Sequence, residues 1–157
     1  MAIGTDALID FFGTQDVADD TSTSTISSGA FSVAADVASW TNDDDAPAAG
    51  FTLECQFDTT MPTVGHIGLF AHILNVQSTN DTEIPATNHL SHWLGNFKIP
   101  FSVAADTNFH AAVPYAVLPN MITSQVYDFY IYNFGTSQTI GVDWNLWVTP
   151  LTKGPHA

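Results

Sequence analysis

The chain has 157 residues, which is the length of one domain, and 45% of them are apolar, enough to form a sizeable hydrophobic core. Two lysines, no arginine and 16 acidic residues give it a formal charge of −14. Because nucleic-acid binding requires a basic surface, this composition excludes a nucleic-acid partner, and it also disfavours an anionic membrane surface.

Signals for targeting and cross-linking are also missing. Met1 is not followed by the basic region that opens a signal peptide, and no apolar run approaches the ~18 residues of a membrane span. Cys55 is the only cysteine, so an internal disulfide cannot form. We therefore expect a protein that is made in a cytoplasm and is not inserted in a membrane.

The first 28 residues differ in composition from the rest of the chain. Five of the apolar residues near the start form a candidate contact patch: Ile3, Leu8, Ile9, Phe11 and Phe12. The polar, low-complexity stretch 14–29 follows them, and such stretches behave as flexible linkers. We predict that residues 1–28 form an N-terminal arm whose apolar side chains pack on a neighbouring subunit. The alternative is that this segment is an edge strand of the domain that follows.

Alternating apolar and polar residues predict β-strands through most of the remaining chain. Phe51, Leu53, Cys55 and Phe57, for example, alternate with polar residues. The predicted strands include six segments: 29–40, 51–57, 66–76, 89–97, 124–134 and 140–149. The alanines of the first of these segments would also suit a helix.

Turn-forming residues, mainly Gly, Pro, Asn and Asp, separate the predicted strands. About seven short strands with frequent turns, and no long amphipathic helix, are typical of an antiparallel β-sandwich. We therefore predict an all-β, jelly-roll-like single domain over residues 29–157.

The segment 42–45, with the sequence NDDD, has two interpretations. Calcium prefers carboxylate oxygens at alternate positions of a loop, which Asp43 and Asp45 supply, but Glu54 lies in a predicted strand and does not close such a loop. Asn and Asp also start turns by bonding their own backbone, and Pro47 then fixes φ. We favour a turn between two strands and predict no metal site.

No pattern in the sequence indicates catalysis. The six histidines are scattered without an HExxH motif, and His89 and His92 would share a face only on a helix, whereas their segment is a predicted strand. A GxSxG motif is absent, and Cys55 shares the inward side of its strand with Leu53 and Phe57. Carboxylates that meet only in the fold stay an open alternative. The sequence therefore predicts no catalytic residue, no metal and no cofactor, and a protein that is not an enzyme.

The tryptophans divide into core and surface positions. In the last predicted strand, Trp144 shares the inward side with Val142, Leu146 and Val148, whereas Trp147 lies on the outward side. Exposed aromatic residues mark contact surfaces, so Trp147 is a candidate interface residue. Four tryptophans and a surface rich in Ser, Thr and Asn also support an alternative function, a carbohydrate-binding β-sandwich such as a lectin-like or tail-fibre domain.

Three segments resemble a known family: FFGTQD (11–16), SGAFSVAADVASWTNDDDAPAAGFTLECQF (28–57) and TSQVYDFYIYNFGTSQTIGVDWNLWVTP (123–150). Their spacing of aromatic, acidic-turn and strand segments is similar to that of capsid decoration, or cement, proteins of tailed bacteriophages. The resemblance implies a β-rich virion protein that binds the outer surface of the head and stabilises it, often as a homotrimer. Its partner would be the major capsid protein. The negative charge suits this role because it keeps the protein away from packaged DNA.

Overall fold

The computed structural model describes residues 8–19, 22–74, 82, 84–85, 92–100, 104, 106–120 and 122–155, with the backbone alone at 8–10 and 155. Nine strands form in this part of the chain: β1 (Leu8–Phe12), β2 (Asp16–Asp19), β3 (Ser39–Asn42), β4 (Ala48–Cys55), β5 (His66–Leu74), β6 (Trp93–Phe97), β7 (Phe109–Val117), β8 (Gln125–Phe134) and β9 (Asn145–Pro155). A 3-10 turn spans Ala34–Asp36. No helix in these ranges has the length and hydrophobicity needed to cross a bilayer.

The strands pair in a nested order. β1 and β2 pair with β9, β3 pairs with β8, β4 with β7, and β5 with β6, and every pairing is antiparallel. Two further antiparallel pairings, β4 with β9 and β5 with β8, join these pairs into sheets. The first sheet has the order β1-β9-β4-β7, with β2 also on β9, and the second has the order β3-β8-β5-β6. This is the strand order of a jelly roll, so the predicted all-β antiparallel sandwich is confirmed.

One hydrophobic core lies between the two sheets. Alternate residues of the central strands point into it, as Phe51 and Leu53 do in β4. Rings from the two sheets meet there, with Phe51 and Phe129 at a centroid distance of 4.8 Å and an edge-on angle of 71°. The inward positions predicted for Trp144 and Cys55 are confirmed, since both side chains are buried in this core.

Most of the predicted strands are present in the fold. Three of them correspond to β4, β5 and β8: 51–57, 66–76 and 124–134. The predicted strand 89–97 is observed as β6 from Trp93 onward, and residues 89–91 lie outside the described chain.

The predicted strand over 29–40 is wrong. Phe31 makes an isolated bridge to β8, Ala34–Asp36 form the 3-10 turn, and β3 begins only at Ser39. Val33 is exposed, so the alternation that predicted a strand does not face the core. In the observed turn the Asp36 side chain accepts hydrogen bonds from the backbone of an earlier segment, which holds this region outside a regular strand pairing.

The Asp36 carboxylate fastens this turn to residues 23 and 24. Its Oδ1 accepts hydrogen bonds from Thr23 N at 3.0 Å and Thr23 Oγ1 at 2.8 Å, and its Oδ2 accepts one from Ser24 N at 3.0 Å. Burial of the carboxyl raises its pKa, but the hydrogen bonds from Thr23 and Ser24 together lower it by more, so the pKa of Asp36 lies below its ordinary value of 3.8. A depressed pKa in the folded state means that the charged carboxylate stabilises the fold.

We expect the substitution Asp36→Asn to lower the free energy of unfolding by about 1–3 kcal/mol at neutral pH, because the new amide turns a donor toward a backbone N–H. The higher free energy of unfolding of wild type, relative to Asp36→Asn, is fully present above the ordinary pKa of 3.8. It is lost as the pH falls through the lower pKa of Asp36 in the folded state. Urea denaturation at neutral pH and at a series of acidic pH values measures both effects. Asp44→Asn, at an exposed carboxylate, is the control, and a deficit of Asp36→Asn that stays constant into acid contradicts the prediction.

Two local features of the sequence misled the strand prediction. β7 was not among the predicted strands, and it contains Pro114. This proline is tolerated because β7 is an edge strand whose register with β4 shifts between Ala49 and Phe51. The inward position predicted for Val142 is wrong, since this side chain is 38% exposed. Asp143 has a positive φ of 61°, which breaks the alternation before β9 begins.

Residues 8–19 lie along β9. β1 pairs with residues 151–155 of that strand and β2 pairs with residues 146–148. Ala18 and Ile26 belong to the hydrophobic core. The described part of the predicted arm therefore extends the first sheet, as an edge strand does, and its contact with a neighbouring subunit stays a prediction.

Candidate functional site

The outer surface of the first sheet carries apolar side chains in two parallel rows. In the first row, Phe12, Leu151, Ala48 and Val117 lie side by side across β1, β9, β4 and β7. Leu151 and Ala48 are buried outside the core cluster, whereas Phe12 and Val117 are 73% and 64% exposed. The row therefore ends in two large apolar side chains that face solvent.

The second row crosses β2, β9, β4 and β7 and consists of Val17, Trp147, Thr52 and Ala112. It lies about 13 Å from the first row, because the two rows are four residues apart along β9 and a strand rises ~3.3 Å per residue. Val17 and Ala112 are exposed, and Trp147 is half-buried. We define the solvent-facing members of both rows as the apolar face: Phe12, Val17, Ala112, Val117 and Trp147.

A polar group borders the apolar face next to Trp147. Glu54 accepts hydrogen bonds from Asn108 Nδ2 at 3.2 Å and from Asn145 Nδ2 at 3.4 Å, and His110 Nε2 lies 3.8 Å from its Oε1. The rings of His110 and Trp147 stack at a centroid distance of 6.5 Å and an angle of 23°. The apolar face therefore has hydrogen-bonding side chains on one side, next to Trp147.

The structure brings together two of the six interface residues that the sequence predicted. Phe12 and Trp147 both lie on the apolar face, whereas Phe11 points to the opposite side of β1 and is 47% exposed there. The side chains of the other three residues are not described. Leu8 and Ile9 belong to β1 by their backbone, and Ile3 lies outside the described chain.

Sequence reasoning missed three members of the apolar face. Val17 lies in a stretch that was interpreted as a polar linker, and Ala112 and Val117 lie in β7, which was not predicted. The sequence over 109–113 is FHAAV, in which only His110 is polar, so it carries no clear apolar–polar alternation that would have found β7.

The segment 42–45 forms the predicted turn between β3 and β4. Asn42 Oδ1 accepts a hydrogen bond from Ala46 N at 2.9 Å, and Asn42 Nδ2 donates one to Ala46 O at 2.9 Å. Asp45, with a φ of 50°, accepts a hydrogen bond from Ser124 N at 2.7 Å. The prediction of a turn built by Asn and Asp side chains is confirmed. The absence of a metal from this segment stays a prediction.

In the described ranges, no group of three or more His, Cys, Asp or Glu side chains is placed to hold a metal ion. Burial, with a smaller contribution from the charge of Glu54, raises the pKa of Cys55, so this residue stays a thiol rather than the nucleophilic thiolate. Burial also raises the pKa of Tyr127. That the protein is not an enzyme stays a prediction from the sequence.

The fold and the surface together define an all-β jelly roll with an apolar outer face on one of its two sheets. No protein-family model matches the chain, and a comparison with curated proteins also finds no match. Among solved structures, a chain in "Structure of infectious bursal disease virus Gx strain" is similar, with a TM-score of 0.45 and 14% sequence identity. The similarity covers 92% of this chain but 32% of that chain. Because the similarity is this low, function is inferred from the residues of the protein itself.

Proposed function

We propose that this protein is a capsid decoration protein of a tailed bacteriophage, which binds the outer surface of the head and stabilises it. The apolar face carries the proposal, because its two rows place exposed apolar side chains on one side of the first sheet, where they are available for contact with another molecule. The sequence resemblance supports the major capsid protein as the partner and a homotrimer as the form that binds it.

The charge of the chain supports an interface dominated by apolar contact. Lys98 and Lys153 are both exposed and are the only basic residues other than histidine, so ionic contacts must use the carboxylates of this chain against capsid Lys or Arg. Exposed ion pairs of that kind contribute about 0–1 kcal/mol each and are screened by salt. A large apolar side chain that becomes fully buried contributes roughly 1.5–3 kcal/mol. Repetition of the contact on a capsid lattice adds avidity.

We expect binding to heads to survive high salt. Purified protein is mixed with heads that lack it, at low salt and at ~1 M salt, where the screening length is only about 3 Å. Sedimentation measures binding, and thermal rupture of the heads measures stabilisation. Binding at both salt concentrations with a higher rupture temperature supports the proposal. Failure to bind, or binding without a rise in rupture temperature, removes it.

Deleting residues 1–12 is expected to weaken head binding while the sandwich stays folded. β1 pairs with residues 151–155 at the end of β9, and the core cluster contains neither Phe11 nor Phe12. The deletion removes Phe12 from the apolar face and so removes roughly 1.5–3 kcal/mol of apolar contact. Thermal melting followed by circular dichroism measures folding, and sedimentation measures binding. Phe12→Ala, which keeps β1, is the comparison, and an unfolded deletion variant contradicts the prediction.

A further inference from the structure

The outer surface of the second sheet contains a groove with aromatic walls, far from the apolar face of the first sheet. Its volume is about 360 Å³, at the small end of the 300–1,000 Å³ typical of ligand pockets. Five residues of β5, β6 and β8 line it: His66, Phe70, Trp93, Asn96 and Phe134. None of these five residues carries a carboxylate or an ammonium group.

The floor of the groove exists because β5 has a glycine there. A Cβ at Gly68 would lie 2.8 Å from Phe134 Cε2 and 2.9 Å from Phe70 Cε2, so both rings extend over the bare backbone. The ring of His66 stacks on Phe134 at a centroid distance of 4.6 Å and an angle of 24°. Phe70 is 1% exposed and contacts the rings of Phe31 and Phe134, so the floor of the groove is already packed without a ligand.

The open wall of the groove is Trp93, whose side chain is 53% exposed. Its indole Nε1 donates a hydrogen bond to Asn96 Oδ1 at 3.1 Å, which orients the indole. Since Oδ1 of Asn96 accepts this bond, its Nδ2 group is the end of the amide available to a ligand. The groove therefore combines aromatic surfaces with a fixed amide donor.

We propose that this groove binds a neutral pyranose sugar, independently of the proposed attachment to a capsid. A pyranose has an apolar C–H face, which suits an indole or phenyl surface, and hydroxyl groups at its rim, which suit the Asn96 amide and the His66 imidazole. The formal charge of −14 disfavours sugar acids and phosphorylated sugars. The groove lies on the second sheet and the apolar face on the first. A protein attached through its apolar face would therefore present the bound sugar on its opposite side.

The test is a nuclear magnetic resonance titration of the full chain with four neutral probes: the methyl pyranosides of glucose, galactose, mannose and N-acetylglucosamine. Binding of at least one probe is expected to shift the indole N–H signal of Trp93 in a saturable way. In Trp93→Ala, which lacks this indole signal, the side-chain amide signal of Asn96 is followed instead and should show no saturable shift. Asn96→Asp keeps the acceptor for Trp93 and removes the amide donor, so it should weaken binding about tenfold. Tyr115→Ala, at an exposed aromatic residue of the first sheet, should leave binding unchanged.

The opposite results overturn the proposal. They are no saturable shift with any of the four sugars, shifts confined to Trp147, or equal affinity in wild type and Asn96→Asp. Glucuronic acid is titrated in parallel, and a preference for it contradicts the charge argument. Binding of N-acetylphenylalaninamide without any sugar assigns the groove to an aromatic side chain of a protein partner. Head binding by wild type is measured separately, so failure of the sugar site and failure of the capsid proposal are distinguishable.

Discussion

Replacing Gly65 with alanine is expected to lower the free energy of unfolding by about 3 kcal/mol or more, because it combines a strained backbone with a collision against backbone atoms. Gly65 has a φ of +91°, which a residue with a Cβ rarely adopts. A Cβ there would collide with the carbonyl oxygen of Phe134 and lie 2.8 Å from Thr136 N and 2.9 Å from Gly135 C. These are backbone atoms at the end of β8, so they cannot rotate away as a side chain does.

Gly29 provides a matched control for this prediction. Its φ of +82° is similar, but a Cβ built on it meets no atom within 4 Å. Gly29→Ala should therefore cost only the conformational term, roughly 1–2 kcal/mol. Urea denaturation of both variants measures the difference. Equal losses at the two positions would show that backbone conformation alone, and not the close approach of β5 to β8, requires glycine at position 65.

Truncating the apolar face is expected to weaken head binding more than any other surface change. In the double variant Phe12→Ala and Trp147→Ala, the loss of the exposed Phe12 ring removes roughly 1.5–3 kcal/mol of apolar contact, and the loss of the half-buried Trp147 indole adds a smaller amount. A loss of about 1.4 kcal/mol corresponds to a tenfold weaker binding constant, so the double variant should bind more than about tenfold more weakly. Sedimentation with heads at several protein concentrations measures the change.

Two valines of similar exposure make the test specific to this surface. Val117, on the apolar face, is 64% exposed, and Val64, in the connection between β4 and β5, is 59% exposed. Val117→Ala should weaken head binding and Val64→Ala should not. Thermal melts confirm that each variant is folded. If both valine variants bind like wild type and the double variant also binds normally, the apolar face is not the contact surface.

The class of fold could be predicted from the sequence because period-two alternation is a local property of each strand. The alternation in 51–57 gives the correct inward side for Phe51 and Leu53, and both are buried. Local patterns failed where a distant contact decides the conformation. Asp36 accepts hydrogen bonds from Thr23 and Ser24 that hold its region outside a regular strand pairing, which no pattern within residues 29–40 reveals.

The candidate surfaces were harder to predict than the fold. Alternation shows which side of a strand a residue occupies, but not whether another segment covers that side. Phe70 and Trp93 are register neighbours in β5 and β6, and both belong to the outer groove of the second sheet. Yet Phe70 is 1% exposed and Trp93 is 53% exposed. The rings of Phe31, Tyr132 and Phe134 pack around Phe70. Only the assembled sheet separates a covered aromatic residue from an open one.

The nested pairing also has a consequence for synthesis of the protein. β9 comes last among the described strands, and it lies between β1 and β4 in the first sheet. While the ribosome is still making this strand, β4 has an unpaired backbone edge, and unpaired edges invite association between nascent chains. Pairings between distant parts of a chain also form slowly. Yield should therefore depend on how fast the last segment is translated, and slow codons just before residue 145 should promote aggregation.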